Sequence, residues 1–411
     1  MWRVQRYNVR GVLKFQIDPY TYPHTQHYVL RGVLRCNLDP YTHIHTPQSH
    51  INPIFQQPII FNPTNFQMSL SFKQILETIS EGIDLSPEEA DFALRQIVEG
   101  EVSNEEVAAF LFGMRAKSET VTELTAFVKV MRDAAVSVNV DVDGAVDLCG
   151  TGGDSSGTFN ISTAAMFVVA GADVPVLKHG NRSVSSKCGS ADVLEELGIV
   201  ATLDKEGVEN VFEETGMAFM FAPNFHPAMK YVMPARRALG LRTFFNILGP
   251  LLNPADVKRQ VIGAYSRDVA GTMVQILSNL ETEKAYTLNA HDGLDEVSIT
   301  SSTEIYELQS SLINKPVLFD PRSLGFELVS MEELMGGDSE RNAAIIRNIV
   351  ENKAEKPQRD VVVINAAFGI HASGRAGSLE DAVSMAEESI DSGSADRKLR
   401  QFAEATRDQK D

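Results

Sequence analysis

The chain has 411 residues, 43% of them hydrophobic and 22% charged, a balance that suits a soluble globular protein with one large or two medium domains. Its net charge of −18 disfavours non-specific binding to nucleic acid or an anionic membrane, and no window approaches the ~20 apolar residues of a membrane helix. The amino terminus lacks the order of a signal peptide, and three scattered cysteines (Cys36, Cys149 and Cys188) suggest neither a disulfide framework nor a paired zinc site, so a cytoplasmic protein is expected.

Residues 1–67 differ from the rest of the chain. They hold most of the histidines and many Pro, Asn and Gln, and carry six Lys or Arg against two Asp, a balance of +4 that leaves −22 on residues 68–411. Tyr7, Arg10-Gly11-Val12-Leu13 and Asp18-Pro19-Tyr20-Thr21 recur 21 residues later as Tyr28, Arg31-Gly32-Val33-Leu34 and Asp39-Pro40-Tyr41-Thr42. Two copies are too few to stack as a solenoid. His24, His27, His43 and His45 lack a tight metal-ligand spacing. A disordered leader is expected, with the folded body starting at Met68.

From 69 to about 136 the pattern is helical. Leu70, Phe72 and Ile75 open one segment; Ser86 offers an N-cap before Pro87, with Glu88 and Glu89 at the positive end of the dipole. Ser103 with Glu106, and Thr120 with Glu123, carry the capping-box spacing. Four short helices make too small a core, so this domain, 68–140, is expected to pack on another domain or a second copy. After Val140, residues 145–149, 174–177, 260–265, 285–289 and 361–364 read as strands, with helices near 161–170, 192–197 and 268–280. The alternation predicts an α/β domain over 141–411 with a central, largely parallel sheet. A helical stretch over 226–252 interrupts it and is expected to rejoin the amino-terminal helices.

Three segments carry chemistry. Gly150-Thr151-Gly152-Gly153-Asp154 follows a predicted strand, and Asn160-Ile161-Ser162-Thr163 opens a predicted helix. Glycines let backbone N–H groups approach an anion, and a helix start adds unpaired donors. The segment therefore reads as a pyrophosphate cradle, although it fits neither the Walker nor the dinucleotide pattern. Lys178-His179-Gly180-Asn181-Arg182 follows the next predicted strand, with Ser183, Ser185, Ser186 and Ser190 behind it; Lys178 can neutralise phosphate there, and Ser190 can cap a helix. His179 is read as a contact or structural residue, and Cys149 as a small core residue. Asp295 and Glu296, adjacent carboxylates in His291-Asp292-Gly293-Leu294-Asp295-Glu296, are favourable beside a cation such as Mg²⁺. Residues 176–191 and 226–245 contain Lys178, Arg182, Lys187, Lys230, Arg236, Arg237 and Arg242 and no acid, islands that suit a small anionic substrate.

With Gly189-Ser190-Ala191-Asp192, Arg236-Arg237-Ala238-Leu239-Gly240 and Asn246-Ile247-Leu248-Gly249-Pro250, these blocks closely resemble the anthranilate phosphoribosyltransferase family from about residue 69 onward. The resemblance implies a small helical domain, a larger α/β domain of the nucleoside phosphorylase/phosphoribosyltransferase type, and a homodimer formed through helical-domain surfaces. It implies that Gly150, Gly153, Asp154, Thr158, Asn160, Ile161, Ser162, Thr163, Lys178, His179, Gly180, Asn181, Arg182, Ser183, Val184, Ser185, Ser186 and Ser190 contact 5-phosphoribosyl-1-pyrophosphate. Gly150, Asn181 and Arg236 would meet anthranilate, and Ser162, Asp295 and Glu296 would hold Mg²⁺. No acid–base residue is assigned, because an aromatic amine is already unprotonated at neutral pH.

Two other readings fit less well. A nucleoside phosphorylase resembles Lys-His-Ser-Thr-Gly-Gly where this chain has Lys178-His179-Gly180-Asn181-Arg182, and leaves Asp295-Glu296 unexplained. A nucleic-acid-binding relative requires a basic surface, and the body of this chain is acidic.

Overall fold

The computed structural model describes residues 5–9, 12–16, 70–154, 156–182 and 188–409. They fall into two units, 1–67 and 68–411. In the first, β1 (Gln5–Val9) and β2 (Val12–Gln16) pair antiparallel, Val9 opposite Val12. These residues belong to the first copy of the repeat and pair where composition suggests disorder. The second copy, with the histidines between His24 and His45, lies outside the described residues.

The second unit opens with α1 (Phe72–Ser80), α2 (Pro87–Val98), α3 (Asn104–Lys117) and α4 (Val121–Asp133). Each begins at a capping box: Ser71 with Gln74, Ser86 with Glu89, Ser103 with Glu106 and Thr120 with Glu123. Such caps satisfy donors the helix leaves unpaired and contribute about 1 kcal/mol each. In α2 the buried residues Ala90, Ala93, Leu94, Ile97 and Val98 form one stripe at helical spacing.

The chain then alternates through β3 (Val146–Gly150), α5 (Ile161–Gly171), β4 (Val176–Gly180), α6 (Ser190–Glu196), α7 (Lys205–Thr215), β5 (Met217–Phe221), α8 (Ala222–Phe225), α9 (Met229–Leu239), α10 (Phe245–Leu248), β6 (Arg259–Gly263), α11 (Arg267–Ser278) and β7 (Lys284–Ala290). It closes with β8 (Thr303–Gln309), β9 (Leu312–Ile313), β10 (Val317–Phe319), α12 (Ser339–Val350), α13 (Lys356–Ser373), α14 (Leu379–Asp391) and α15 (Ser394–Asp408). The sheet runs β10-β8-β7-β6-β3-β4-β5, with β9 on β8. Strands β3 to β7 are parallel and β8 to β10 antiparallel.

Alternation along the strands sends side chains into two cores. Leu148, Val261 and Tyr286 join the core built with α5 and α12 to α15. Their neighbours Cys149, Ile262 and Ala285 join the core that contains α1 to α4, α9 and α10. The 226–252 stretch packs with the amino-terminal helices: Phe244 stacks on Phe127 at 4.6 Å and meets Phe110 edge-on at 6.2 Å.

Residues 361–364 are not a strand; they lie inside α13. Val361, Val362, Val363 and Ile364 are all fully buried, and a short apolar run cannot distinguish a buried strand from a helix buried on every side. The ends of the other four strands also move, that of β3 by one residue to Gly150. β4 runs through Gly180, so Lys178 and His179 are strand residues pointing to opposite faces, rather than loop residues. β6 ends at Gly263, and β7 extends to Ala290. After β3, β4 and β5 the chain returns to place β6 on the other side of β3, a topological switch point that opens a crevice at the strands' carboxyl ends.

Candidate active site

The crevice is floored by backbone that tolerates no side chain. A β-carbon on Gly150 would stand 2.8 Å from Asp295 Oδ2, and one on Gly263 would overlap the Asp295 carbonyl. Beyond Gly150 the turn is left-handed at Gly152 (φ 64°) and Gly153 (φ 76°), which glycine adopts without strain. Thr151 N–H donates to the Gly263 carbonyl (2.9 Å), and Tyr265 N–H donates to Thr151 Oγ1 (3.0 Å), pinning the turn to the end of β6.

α5 starts under this turn. Its N-cap, Asn160, makes no capping bond; its amide donates instead to the Cys188 carbonyl (3.3 Å) and accepts from Asn342 of α12 (2.9 Å). Ile161 is buried, as are Thr163 and its unpartnered Oγ1. Thr158 bridges to Met335. The first turn of α5 has no acid of its own, and Ser162 N–H donates to Glu296 Oε1 (3.1 Å).

Lys178, 1% exposed, reaches from β4 beneath the same helix start, donating to the Leu148 carbonyl and to Ser162 Oγ (3.4 Å). His179 turns the other way. Its ring packs against His226 at 5.1 Å, and burial, reinforced by His226, pushes its pKa down to about 3. It is therefore a core imidazole whose backbone N–H donates to buried Asp147. Asn181 is exposed, and Arg182 pairs with Asp192 (2.9 Å) and Glu195 (2.6 Å) on α6 rather than facing the turn. Ser183, Val184, Ser185 and Ser186 lie outside the described residues. Ser190 is the first residue of α6 and not its cap; Gly189 takes that place, its N–H held by Asp192 (2.8 Å). Cys149 is buried, with its thiol pushed well up by burial, as a core residue should be.

Asp295 and Glu296 follow β7. Asp295 Oδ2 accepts from Gly152 N–H (2.8 Å), so these two carboxylates together occupy donors of both the turn and α5. Both are held above the usual carboxylate range, by burial first and then by Asp154 acting on Asp295 and Asp295 acting on Glu296, while Lys178 pulls Glu296 back down. Neither forms an ion pair among the described residues. Sequence reasoning missed what fixes this loop. Asp292 accepts from Ser298 Oγ (2.6 Å) and Leu294 N–H (3.1 Å), and Asn365 of α13 exchanges two bonds of 2.9 Å with the backbone of Val297. Asn365 directly follows the apolar run that reads as a strand, which conceals its place on a helix.

No group of three or more His, Cys, Asp or Glu stands in ligating range among the described residues. Two hard carboxylates and the Ser162 hydroxyl, half-buried in the crevice beside Lys178, nevertheless fit an ion that takes the rest of its shell from phosphate and water, as Mg²⁺ does.

Arg236 on α9 is half-buried, with Nη1 3.9 Å from Met233 Sδ and its guanidinium 5.4 Å from the Phe245 ring; burial lowers its pKa. Arg237 is exposed.

Residues 73–135 match the helical bundle domain of the glycosyl transferase family, and residues 142–396 its a/b domain. Anthranilate phosphoribosyltransferase of Salinibacter ruber is 49% identical over 340 residues, 82% of this chain and 98% of that protein; the enzyme of Alkaliphilus metalliredigens is 46% identical over 338 residues, 82% and 99%. The chain belongs to the anthranilate phosphoribosyltransferase family.

Solved members of the family share the fold. The Thermus thermophilus enzyme superposes with a TM-score of 0.76 at 35% identity, over 81% of this chain and 99% of its own. The Saccharomyces cerevisiae enzyme, solved with PRPP and Mg, gives 0.76 at 25% identity over 82% and 98%. Each match takes about four-fifths of this chain and almost all of the relative, and the two family models together lie within residues 73–396. Within the family's shared body, the strand-end glycines, the start of α5, Lys178 and the Asp295–Glu296 pair converge on one crevice.

Proposed function

We propose that this chain transfers the 5-phosphoribosyl group of 5-phosphoribosyl-1-pyrophosphate to the amino group of anthranilate, releasing pyrophosphate, as a cytoplasmic step of tryptophan biosynthesis. The observation that carries this reading is the convergence of the Gly150–Gly153 turn, the α5 N-terminus and two half-buried carboxylates at the switch point. Gly150, Gly153, Asp154, Thr158, Asn160 to Thr163, Lys178 to Ser186 and Ser190 form the donor site, His179 and Arg182 through their backbones. Asn181 and Arg236 bind anthranilate, with Gly150 between the two subsites. The half-buried guanidinium of Arg236, with no carboxylate partner among the described residues, is suited to the acceptor's carboxylate.

Ser162, Asp295 and Glu296 would hold Mg²⁺, which when bound neutralises charge on the leaving diphosphate. The protein's own part is positioning. The turn and helix donors orient the diphosphate, Arg236 holds the acceptor nitrogen in line, and no side chain is needed as a base. The working unit is a homodimer made through the helical domain, 68–140 with 226–252, where Phe112 and Ile83 are exposed. Expression in a bacterium lacking this transferase is expected to restore growth without tryptophan; failure of soluble, folded protein to do so would reject the assignment.

A further inference from the structure

The loop between α9 and α10 contributes an arginine that the donor and acceptor subsites do not use. Arg242 donates from Nη2 to the Gly153 carbonyl (2.8 Å), its guanidinium lies 4.6 Å from the centre of the Tyr265 ring, and its own carbonyl accepts from Arg115 of α3. A β-carbon on Gly153 would stand 3.1 Å from that Nη2, so the arginine lies against the left-handed part of the turn. Tyr265, on which it rests, is itself bonded through its N–H to Thr151. Arg242 has no carboxylate partner among the described residues and remains exposed at the mouth of the crevice.

The turn is thus held from two directions. Gly263 and Asp295 hold Thr151 and Gly152 from the strand side, and Arg242 holds Gly153 from the helical side. Two consecutive glycines with positive φ lose much backbone freedom when ordered, so a turn released on one side samples many other shapes.

We propose that Arg242 is a positioning residue for the phosphoribosyl donor: by clamping the Gly153 carbonyl, braced on Tyr265 and held by Arg115, it keeps the Gly152–Gly153 turn in the shape that receives the diphosphate, and adds positive charge beside it. This rests on the transferase reading of the same crevice. A planar guanidinium serves both contacts at once, whereas an ammonium cannot both stack on the tyrosine and reach the carbonyl in a fixed direction.

The test measures binding of 5-phosphoribosyl-1-pyrophosphate with Mg²⁺ by calorimetry, steady-state kinetics and thermal melting, on wild type, Arg242→Ala, Arg242→Lys and Arg115→Ala. Arg242→Ala is expected to weaken donor binding about tenfold or more while the KM for anthranilate stays within about twofold and Tm is unchanged. Arg242→Lys should recover part of the donor affinity, and Arg115→Ala, which removes only the bond to the Arg242 carbonyl, should show a smaller loss of the same kind. Donor binding within twofold of wild type in Arg242→Ala overturns the proposal, as does an equal loss for both substrates or a loss that follows a lower Tm. A wild-type protein that binds no donor would sink the transferase reading, and this proposal with it.

Discussion

Arg236 and Arg237 are neighbours on α9 in different surroundings: one is half-buried against Met233 and Phe245, the other in solvent with Nε 3.4 Å from the Met233 carbonyl. Successive helical residues point about 100° apart, so only one can serve the acceptor site. Losing a charge-assisted bond costs about 1.5–3 kcal/mol, so Arg236→Ala should raise the KM for anthranilate roughly tenfold to more than a hundredfold, and Arg237→Ala should change it little. The reverse order in steady-state kinetics would refute the assignment. The buried imidazoles give a second prediction. His179 and His226 are held near 3 and 4 by burial, below the ordinary value of 6.5, so the unfolded chain takes up protons first as pH falls. Their contribution is intact above pH 6.5 and is lost as pH drops from there towards 4. Asp147, pushed up to about 6 by burial, and Asp295 and Glu296, held above their ordinary range, act with the opposite sign, so the histidines are read as a difference between variants. As the pH is lowered from about 7 to about 5, the Tm of His226→Gln should therefore rise relative to that of wild type; parallel profiles would exclude a contribution from His226. Residue identities at the site were legible as motifs, but their directions were not. Nothing in Lys178-His179 shows that β4 continues through both and sends one ring into the core, and nothing in Arg182 announces Asp192 and Glu195 across a helix turn.

Among the elements, the helix starts were the most legible, because a capping box is a local event four residues long: Ser86, Ser103 and Thr120 all begin helices. Strand β5, Met-Ala-Phe-Met-Phe, escapes a pattern reading because it has no β-branched residue and no alternation, being buried along most of its length. The long α13 resembles a strand for the related reason that it is buried on all sides, with Gly369 letting it approach the sheet so closely that a β-carbon there would stand 2.9 Å from Leu148. A prediction belongs to the β7–β8 connection. Asp295 and Glu296 are half-buried like charges that accept from Gly152 and Ser162. Changing them to Asn and Gln keeps an acceptor oxygen for each donor and removes the repulsion. The double variant should lose Mg²⁺-dependent turnover and melt a few degrees higher, since about 1 kcal/mol moves Tm by roughly 2–4 °C in a domain of 150–250 residues. A variant that melts lower, or that keeps wild-type turnover, would show that the pair is structural.

At the scale of the whole molecule, the fold class followed from alternation of strand and helix, and the site followed from topology: reversal of strand order at β3 and β6 places the turn, α5 and the acidic pair at one crevice. The acidic body, at −22, and the basic leader, at +4, are separate units. A chain beginning at Met68 is expected to keep full activity and the same Tm; a large loss of either would make residues 1–67 part of the working fold. The central claim is most directly tested by following anthranilate fluorescence and released pyrophosphate together. The account predicts that both change one for one, only when 5-phosphoribosyl-1-pyrophosphate and Mg²⁺ are present, and stop on chelation of the metal. Anthranilate left unconsumed by folded protein under those conditions, or consumed without release of pyrophosphate, would contradict it.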